Sequence, residues 1–385
     1  MRILHIVPAY QPAIQWGGPV VSVSLLARQQ ARRGHTVSVW TTTFGLEQNV
    51  TQSRTLDGVA VTYFRSLALG HWFIPLGLAR TLHRQLDQFD LVHIHMVWDP
   101  ICWLAARTLV RQRRPFIISP RGSIESSLIE RRSSTLKFFL YRFLLRNLFI
   151  RANGFHFTAA VERERFEDFT QLQPRAVVIP NCLELQPYEH RADKTLLNQW
   201  NLDQQPYLLY LGRLSWKKGF EFLVPAFARF HQRQPNYRLV IAGPDESGYQ
   251  SKIERWVREQ GLAPATVFTG LVVGEEKLAL LQSATAFVLP SYSENFGMAV
   301  IEAMAAGVPV VISQAVGLAE LIKRYQAGLI VELEVGALAD ALVELATNPT
   351  RRTELVRNGE RLIREQFDPD HVVVALEQFY TEVLQ

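Results

Sequence analysis

Two carboxylates, Glu294 and Glu302, stand on either side of Gly297 in the stretch SENFGMAVIEAMAAGVPVV, residues 293–311. A carboxylate accepts two or more hydrogen bonds, so the paired hydroxyls of a ribose or a hexose suit each of them. The stretch reads as the end of a strand (AFVLP), a loop (SYSENF) and a helix (GMAVIEAMAAG) whose first amides, near Gly297, Met298 and Ala299, are available to an anion. Glu302 lies about 7.5 Å along that helix from Gly297, at about 1.5 Å per residue, a separation that suits a ribose when a phosphate meets the amides. The plainer reading makes Glu302 a surface residue and Glu294 a helix-start acid. Val300, Ile301, Ala303 and Met304 make an apolar setting for an idle charge.

A second stretch, YLLYLGRLSWKKGFEFL, runs strand, loop, helix, with Arg213 and Lys218 in the loop and Gly219 before a helix near Phe220. Arginine can grip phosphate bidentately and lysine adds a point charge, so the pair beside helix-start amides suits a bound diphosphate. Solvated loop cations are the alternative. No G-x-x-x-x-G-K-[ST] loop and no G-x-G-x-x-G after a strand occurs, which removes the usual support for P-loop and dinucleotide sites.

The first half offers looser signals. In WGGPV, Gly17 and Gly18 would let backbone approach a ligand, and Pro19 suits the first turn of a helix. In DLVHIHMVWDP, His93 and His95 share a strand face by alternation, and Asp99 before Pro100 reads as a helix cap rather than a catalytic acid. FIISPRGSIE places Arg121 just past a strand, to meet a leaving phosphate or an acidic acceptor, or to pair with Glu125. Asp368 and Asp370 form a literal D-x-D, but Pro369 between them suits the start of a last helix with Asp368 as its cap, so no metal is expected there.

These positions need elements to hold them. Short apolar runs alternate with amphipathic stretches, the pattern of βαβ units around parallel sheets. Strands are expected near 2–7, 36–42, 58–64, 90–95, 115–119, 154–157 and 176–179, then near 207–212, 238–243, 266–270, 286–290, 309–313 and 328–332. With 385 residues, two α/β domains are expected, divided between 188 and 189 in a polar linker and facing across a cleft, with a last helix from 369 to 385. Apolar residues at 48% and charged ones at 20% exclude a mainly disordered chain.

Two cysteines, Cys102 and Cys182, lack metal-binding spacing and suit a reducing cytoplasm. The uncharged run after Arg2 is interrupted by Pro8 and Pro12, and the one from Ala303 to Ala319 by Gly307, Pro309 and Gly317, so neither a secretory signal nor a membrane span is expected. The net charge of +5 divides unevenly: residues 1–190 hold 22 basic against 13 acidic side chains, which leaves 19 against 23 beyond. Residues 128–151 are rich in Arg with Phe138, Tyr141, Leu145 and Leu148 at helical spacing, which fits core packing or contact with an anionic membrane surface. Nucleic acid binding is not expected, since no recognised module accompanies the charge.

The run E-N-F-G-M-A-V-I-E-A-M-A-A-G-V-P-V-V resembles the E-x7-E signature of retaining glycosyltransferases of family 4, which have the GT-B fold of two Rossmann-like domains. GRLSWKKG is similar to that family's phosphate loop and PAYQPAIQWGGPV to its N-terminal glycine loop, and the likeness extends over nearly the whole chain. The resemblance implies a hexosyltransferase-type enzyme that moves a sugar from a nucleoside-diphosphate sugar to an acceptor hydroxyl with retention, in polysaccharide or glycolipid biosynthesis. It implies that the last helix, 369–385, packs back on the first domain, and it implies no cofactor beyond that co-substrate. Arg213, Lys218 and Glu294 would be catalytic; Gly17, Gly18, Gly243, Leu271, Val272, Asn295, Phe296, Gly297, Met298 and Glu302 would hold the donor; His95 and Arg121 would lie near the sugar or acceptor. Many members carry a histidine where this chain has S-P-R-G, a pattern that resembles a polysaccharide-related subset and puts a histidine mechanism in doubt. A nucleotide-sugar epimerase of the same fold and a non-catalytic nucleotide-sugar binder are the rivals.

Overall fold

The computed structural model describes residues 1–13, 17–70, 72–124 and 138–385, which form two compact units, Met1–Cys182 with Pro369–Gln385, and Leu183–Asp368. The boundary falls six residues before the expected one, because residues after Cys182 already pack in the second core: Leu183 N donates to Phe367 O at 2.9 Å.

The first unit is built on β1 (Arg2–Ile6), β2 (Thr36–Thr42), β3 (Gln52–Leu56), β4 (Val59–Phe64), a hairpin of β5 (Ser66–Leu69) and β6 (Trp72–Pro75), β7 (Leu91–His95), β8 (Phe116–Ser119), β9 (Gly154–Phe157) and β10 (Ala176–Val178). Its sheet has the order β10-β9-β8-β7-β1-β2-β4-β3, parallel except for β3. Strand order reverses between β7 and β1, and open parallel sheets bind ligands beyond the carboxyl ends of strands at such a switch. Apolar runs such as LVHIH are buried on both sides, as a sheet covered by helices on both faces requires.

Two elements escaped the sequence reading. β3 is a polar edge strand, largely exposed, with no apolar alternation to reveal it. The β5–β6 hairpin stands apart from the main sheet and leaves Leu67 and Leu69 exposed.

One face of this sheet changes character along the strands. Near the amino ends Ile3, Leu91 and Ile117 pack with Leu25 and Leu26 of the helix Gly18–Arg32 and with Val373, Leu376 and Tyr380 of the C-terminal helix Pro369–Leu384. Two residues further on, the same face carries His5, His93 and Ser119, all fully buried. Burial of polar groups in such a layer demands hydrogen-bond partners.

The second unit contains β11 (Tyr207–Leu211), β12 (Arg238–Ala242), β13 (Thr266–Gly270), β14 (Ala286–Leu289), β15 (Val310–Ser313) and β16 (Leu329–Val331), all parallel, in the order β13-β12-β11-β14-β15-β16. Its switch point lies between β11 and β14, the two strands that feed the Arg213–Lys218 and Glu294–Gly297 loops. A single apolar core, with Tyr207, Phe227, Phe230 and Phe287 fully buried, supports both loops from below.

Among the described residues no helix is long and apolar enough to cross a membrane. The helical segment 138–151 contains a π-helical stretch, Tyr141–Leu145; Tyr141, Leu145 and Leu148 are buried, but Phe138 is 55% exposed and leaves the apolar stripe. Most of the basic stretch before it, residues 125–137, lies outside the described residues.

Candidate active site

After β11 the chain turns at Gly212, forms a tight 3-10 turn at Trp216–Lys218 and enters the helix Phe220–Arg233 through Gly219. Gly219 has φ +68°, and a Cβ there would lie 1.9 Å from the Pro290 carbonyl oxygen at the end of β14. Only glycine lets the two loops come this close. Gly243 serves similarly after β12: a Cβ would lie 2.0 Å from the Gly212 carbonyl oxygen. The backbone seals the junction, with Tyr292 N donating to Lys217 O at 2.8 Å.

Across that junction the Lys218 ammonium donates to Glu294 Oε2, with both side chains largely removed from solvent. Burial opposes ionisation of Glu294, but Lys218, then Arg213 and Lys217, outweigh it and hold the carboxyl below the usual glutamate range. The loop after β15 fixes the Glu294 backbone: Gly317 N donates to Glu294 O at 2.8 Å. Arg213 is more open, 3.6 Å from Glu246 with both side chains 46% exposed.

The helix Met298–Ala305 starts from Gly297 with no side chain capping it, so its first amides are not taken by a capping side chain. Half-buried Met298 opens the helix, and Phe296 is buried with its ring edge-on to Phe367 at 5.8 Å. Asn295 sits in the loop beside them. Glu302, one further turn in, is 8% exposed and accepts from Lys277 Nζ at 2.9 Å. Lys277, on the helix Gly274–Ser283, was missed by sequence reading because its spacing to Glu302 follows no period; the loop before it holds exposed Leu271 and buried Val272.

In the first unit, the helix Gly18–Arg32 begins one residue earlier than expected, from Gly17 at φ +86°. His95 and Arg121 come together, but not at an open surface. His95 is fully buried with both ring nitrogens bonded inside the unit. Arg121, at φ +51° and 8% exposed, donates from Nε to His95 Nδ1 at 2.9 Å and from Nη1 to Ser22 Oγ at 3.0 Å and Asn181 Oδ1 at 2.7 Å. Its alternative partner Glu125 lies outside the described residues. Burial pushes the guanidinium down to about 10, so it stays charged at neutral pH. Glu162, 1% exposed, accepts from Gly122 N and Thr158 N, both at 2.6 Å, and pins the backbone beside Arg121.

Asp99 occupies the N-cap position of the helix Pro100–Gln112, yet its carboxylate makes no cap bond, and burial raises its pKa to about 6. The cap reading therefore holds for its backbone position and not for its side chain.

Metal-binding geometry occurs at one place among the described residues, where ligand atoms of His5, His93 and His95 lie within 4.8 Å of one another. The donor set does not fit an ion. Arginine only donates, so His95 Nδ1 must accept from Arg121, and a neutral His95 then carries its proton on Nε2, the atom turned to His5. Asp368 and Asp370 are not in such a grouping.

Residues 17–182 match the family model described as glycosyl transferase 4-like domain, and residues 193–362 the one described as glycosyl transferases group 1. The chain is 25% identical over 389 residues to an uncharacterized glycosyltransferase of Methanocaldococcus jannaschii, covering 97% of this chain and 96% of the relative. It is 29% identical over 325 residues to the glycogen synthase of Mycobacterium tuberculosis, covering 82% and 74%. The crystal structure of Anabaena HepE in complex with UDP and glucose superposes with a TM-score of 0.78 at 19% identity, over 99% of this chain and 100% of that one. With two Rossmann-like parallel sheets and a glycosyltransferase domain matched on each, the chain is a glycosyltransferase of the GT-B fold, a transferase of hexosyl groups.

Proposed function

We propose that the enzyme moves a sugar from a nucleoside-diphosphate sugar to an acceptor hydroxyl with retention of configuration, as glycosyltransferase family 4 does. The observation that carries this is the buried Lys218–Glu294 pair set against an uncapped helix N-terminus, with the Lys277–Glu302 pair further along the same helix. A diphosphate meeting the amides of Gly297 and Met298 competes for Lys218, and the ammonium then turns from Glu294 to phosphate. Glu294 is left ionised to accept from sugar hydroxyls, and Glu302, oriented by Lys277, accepts from the ribose hydroxyls.

Negative charge grows on the departing diphosphate in the transition state. Lys218, Arg213 and the helix amides are already oriented for it, so they stabilise the transition state more than the ground state. A phosphate oxygen can take the acceptor proton on the same face. The relative crystallised with UDP and glucose, and the glycogen synthase, support a sugar nucleotide as donor. No metal or further cofactor is part of this proposal. In the same proposal the acceptor belongs to polysaccharide or glycolipid assembly. Exposed Phe138, Phe139 and Phe143 beside Arg142 and Arg146 would meet an anionic membrane surface.

Calorimetry with UDP, GDP and ADP tests the diphosphate site, and heat with none of them ends the proposal. Hydrolysis of a panel of nucleotide sugars then selects the donor. NMR of the product reads the anomeric configuration and separates transfer from epimerisation, which would return an isomerised donor. Salt-sensitive flotation with anionic liposomes is expected, and its absence removes the membrane contact.

A further inference from the structure

The buried histidines of the first unit form a chain whose proton directions are fixed by Arg121. Because the guanidinium can only donate, His95 Nδ1 accepts and His95 Nε2–H donates to His5 Nδ1 at 2.9 Å. His5 then holds its proton on Nε2 and donates to Gln30 Oε1 at 2.7 Å. The Gln30 amide nitrogen donates to the Tyr380 hydroxyl at 3.3 Å, and that hydroxyl, needing an acceptor of its own, donates to His93 Nδ1 at 2.7 Å. His93 Nε2 ends the chain, buried and without a partner among the described residues.

We infer that Gln30 is a positioning residue for Arg121, acting through His5 and His95 of this relay: its Oε1 holds the His5 proton on Nε2, keeps both rings neutral and so presents the His95 Nδ1 lone pair to the guanidinium. The relay crosses the β1–β7 switch point, and His5 and His93 are direct register partners there. Reversing the His95–His5 or the His5–Gln30 bond would put an N–H of His95 against the Arg121 N–H. Arg121 would then lose its Nε acceptor and keep, among the described residues, Ser22 and Asn181. The C-terminal helix meets the relay through Tyr380, whose hydroxyl accepts from the Gln30 amide nitrogen. A functional consequence of the aim of Arg121 rests on the proposed sugar transfer; the relay itself does not.

Neutral rings agree with their surroundings. Burial, then the coulombic effect of neighbouring histidines and Arg121, holds His93 and His95 well below the ordinary histidine value, and burial holds His5 at about 4. The titratable and charged groups facing the relay are Arg121, His156 on β9, Glu162 on the helix Ala160–Thr170, Cys182, and Tyr380 and Glu377 on the C-terminal helix. Glu377 is already engaged by Arg33 at 3.1 Å and His35 at 2.8 Å.

The test uses the full chain, 15N-labelled and unliganded, with long-range 1H–15N NMR. At pH 7 His95 and His5 are expected to show a pyridine-like Nδ1 and a protonated Nε2, and a protonated Nδ1 on His95 overturns the inference. Gln30→Glu keeps the shape but favours imidazolium at His5, whose Nδ1–H then reverses the bond to His95. The Arg121 Nε–H resonance is expected to shift at pH 7 and to return as the pH is raised, while in the wild type it does not move. A merely structural glutamine would give no such reversible shift, and that result overturns the inference too. If Gln30→Glu does not fold, Tyr380→Phe serves: His93 is expected to lose its single tautomer while His95 keeps its own, and an unaltered His93 counts against the relay. With the donor chosen by the hydrolysis screen, Gln30→Glu is expected to lower turnover about tenfold or more at pH 7, a loss in the range a small misplacement can cause. Should the tautomers be as stated but Arg121→Met turn over normally, the role of Arg121 in transfer fails and the relay stands.

Discussion

Lys218 and Glu294 form the junction on which the site depends, and Lys218 is the largest of the charges that keep the buried Glu294 ionised. Lys218→Met is expected to lower turnover about 10²–10³-fold, the loss of one preorganised donor to developing negative charge. Glu294→Gln is expected to cost a comparable factor, and the double variant less than the product of the two, because the single changes each strand a buried partner. Steady-state kinetics on the three proteins reads this, and a fully multiplicative loss would mean the pair acts independently. Sequence reading found both residues but set them on separate parts of the ligand. Side chains 76 positions apart in the chain meet only because β11 and β14 are adjacent in the sheet.

At the scale of elements, Gly219 joins a loop to a helix where a side chain has no room. Gly219→Ala is expected to destabilise the second unit by about 2 kcal/mol or more, from the positive φ together with the collision with Pro290 O. Chemical denaturation would show it, with the first unit's transition unchanged. The histidine layer gives a second expectation. His5 and His156, held at about 4 and about 3 by burial, bind fewer protons when folded than when unfolded. Stability contributed by their neutrality is therefore full above the unfolded value near 6.5 and falls as the pH drops towards the folded values. For His5 alone the loss is about 3 kcal/mol, from about 1.4 kcal/mol per pH unit. Urea denaturation at pH 7 and pH 4.5 should show the first unit weakened at the lower pH; equal midpoints would contradict neutral burial. Alternation placed His93 and His95 on one face, but that His5 joins them depended on which strand lies next to β7.

For the whole molecule, the C-terminal helix belongs to the unit that starts the chain. Val373, Leu376, Phe379 and Tyr380 bury against Ile3, Leu91 and Ile117 and close the Gln30 end of the relay. A chain stopped after Asp368 is expected to lose hydrogen-exchange protection in β1, β7 and β8 while β11 to β16 keep theirs. Equal protection in both forms would show the helix to be dispensable. Periodicity and composition determined the two parallel sheets, their thirteen expected strands and the acid, glycine and lysine in the loops after β11 and β14, because burial on both sheet faces and tight turns restrict residue type locally. The polar edge strand β3, the Lys277–Glu302 pair and the course from Arg121 to Tyr380 were decided only by tertiary structure. Hydrogen bonds and ion pairs act over a few ångströms with no preference for sequence separation, so no local pattern records which distant side chains will meet.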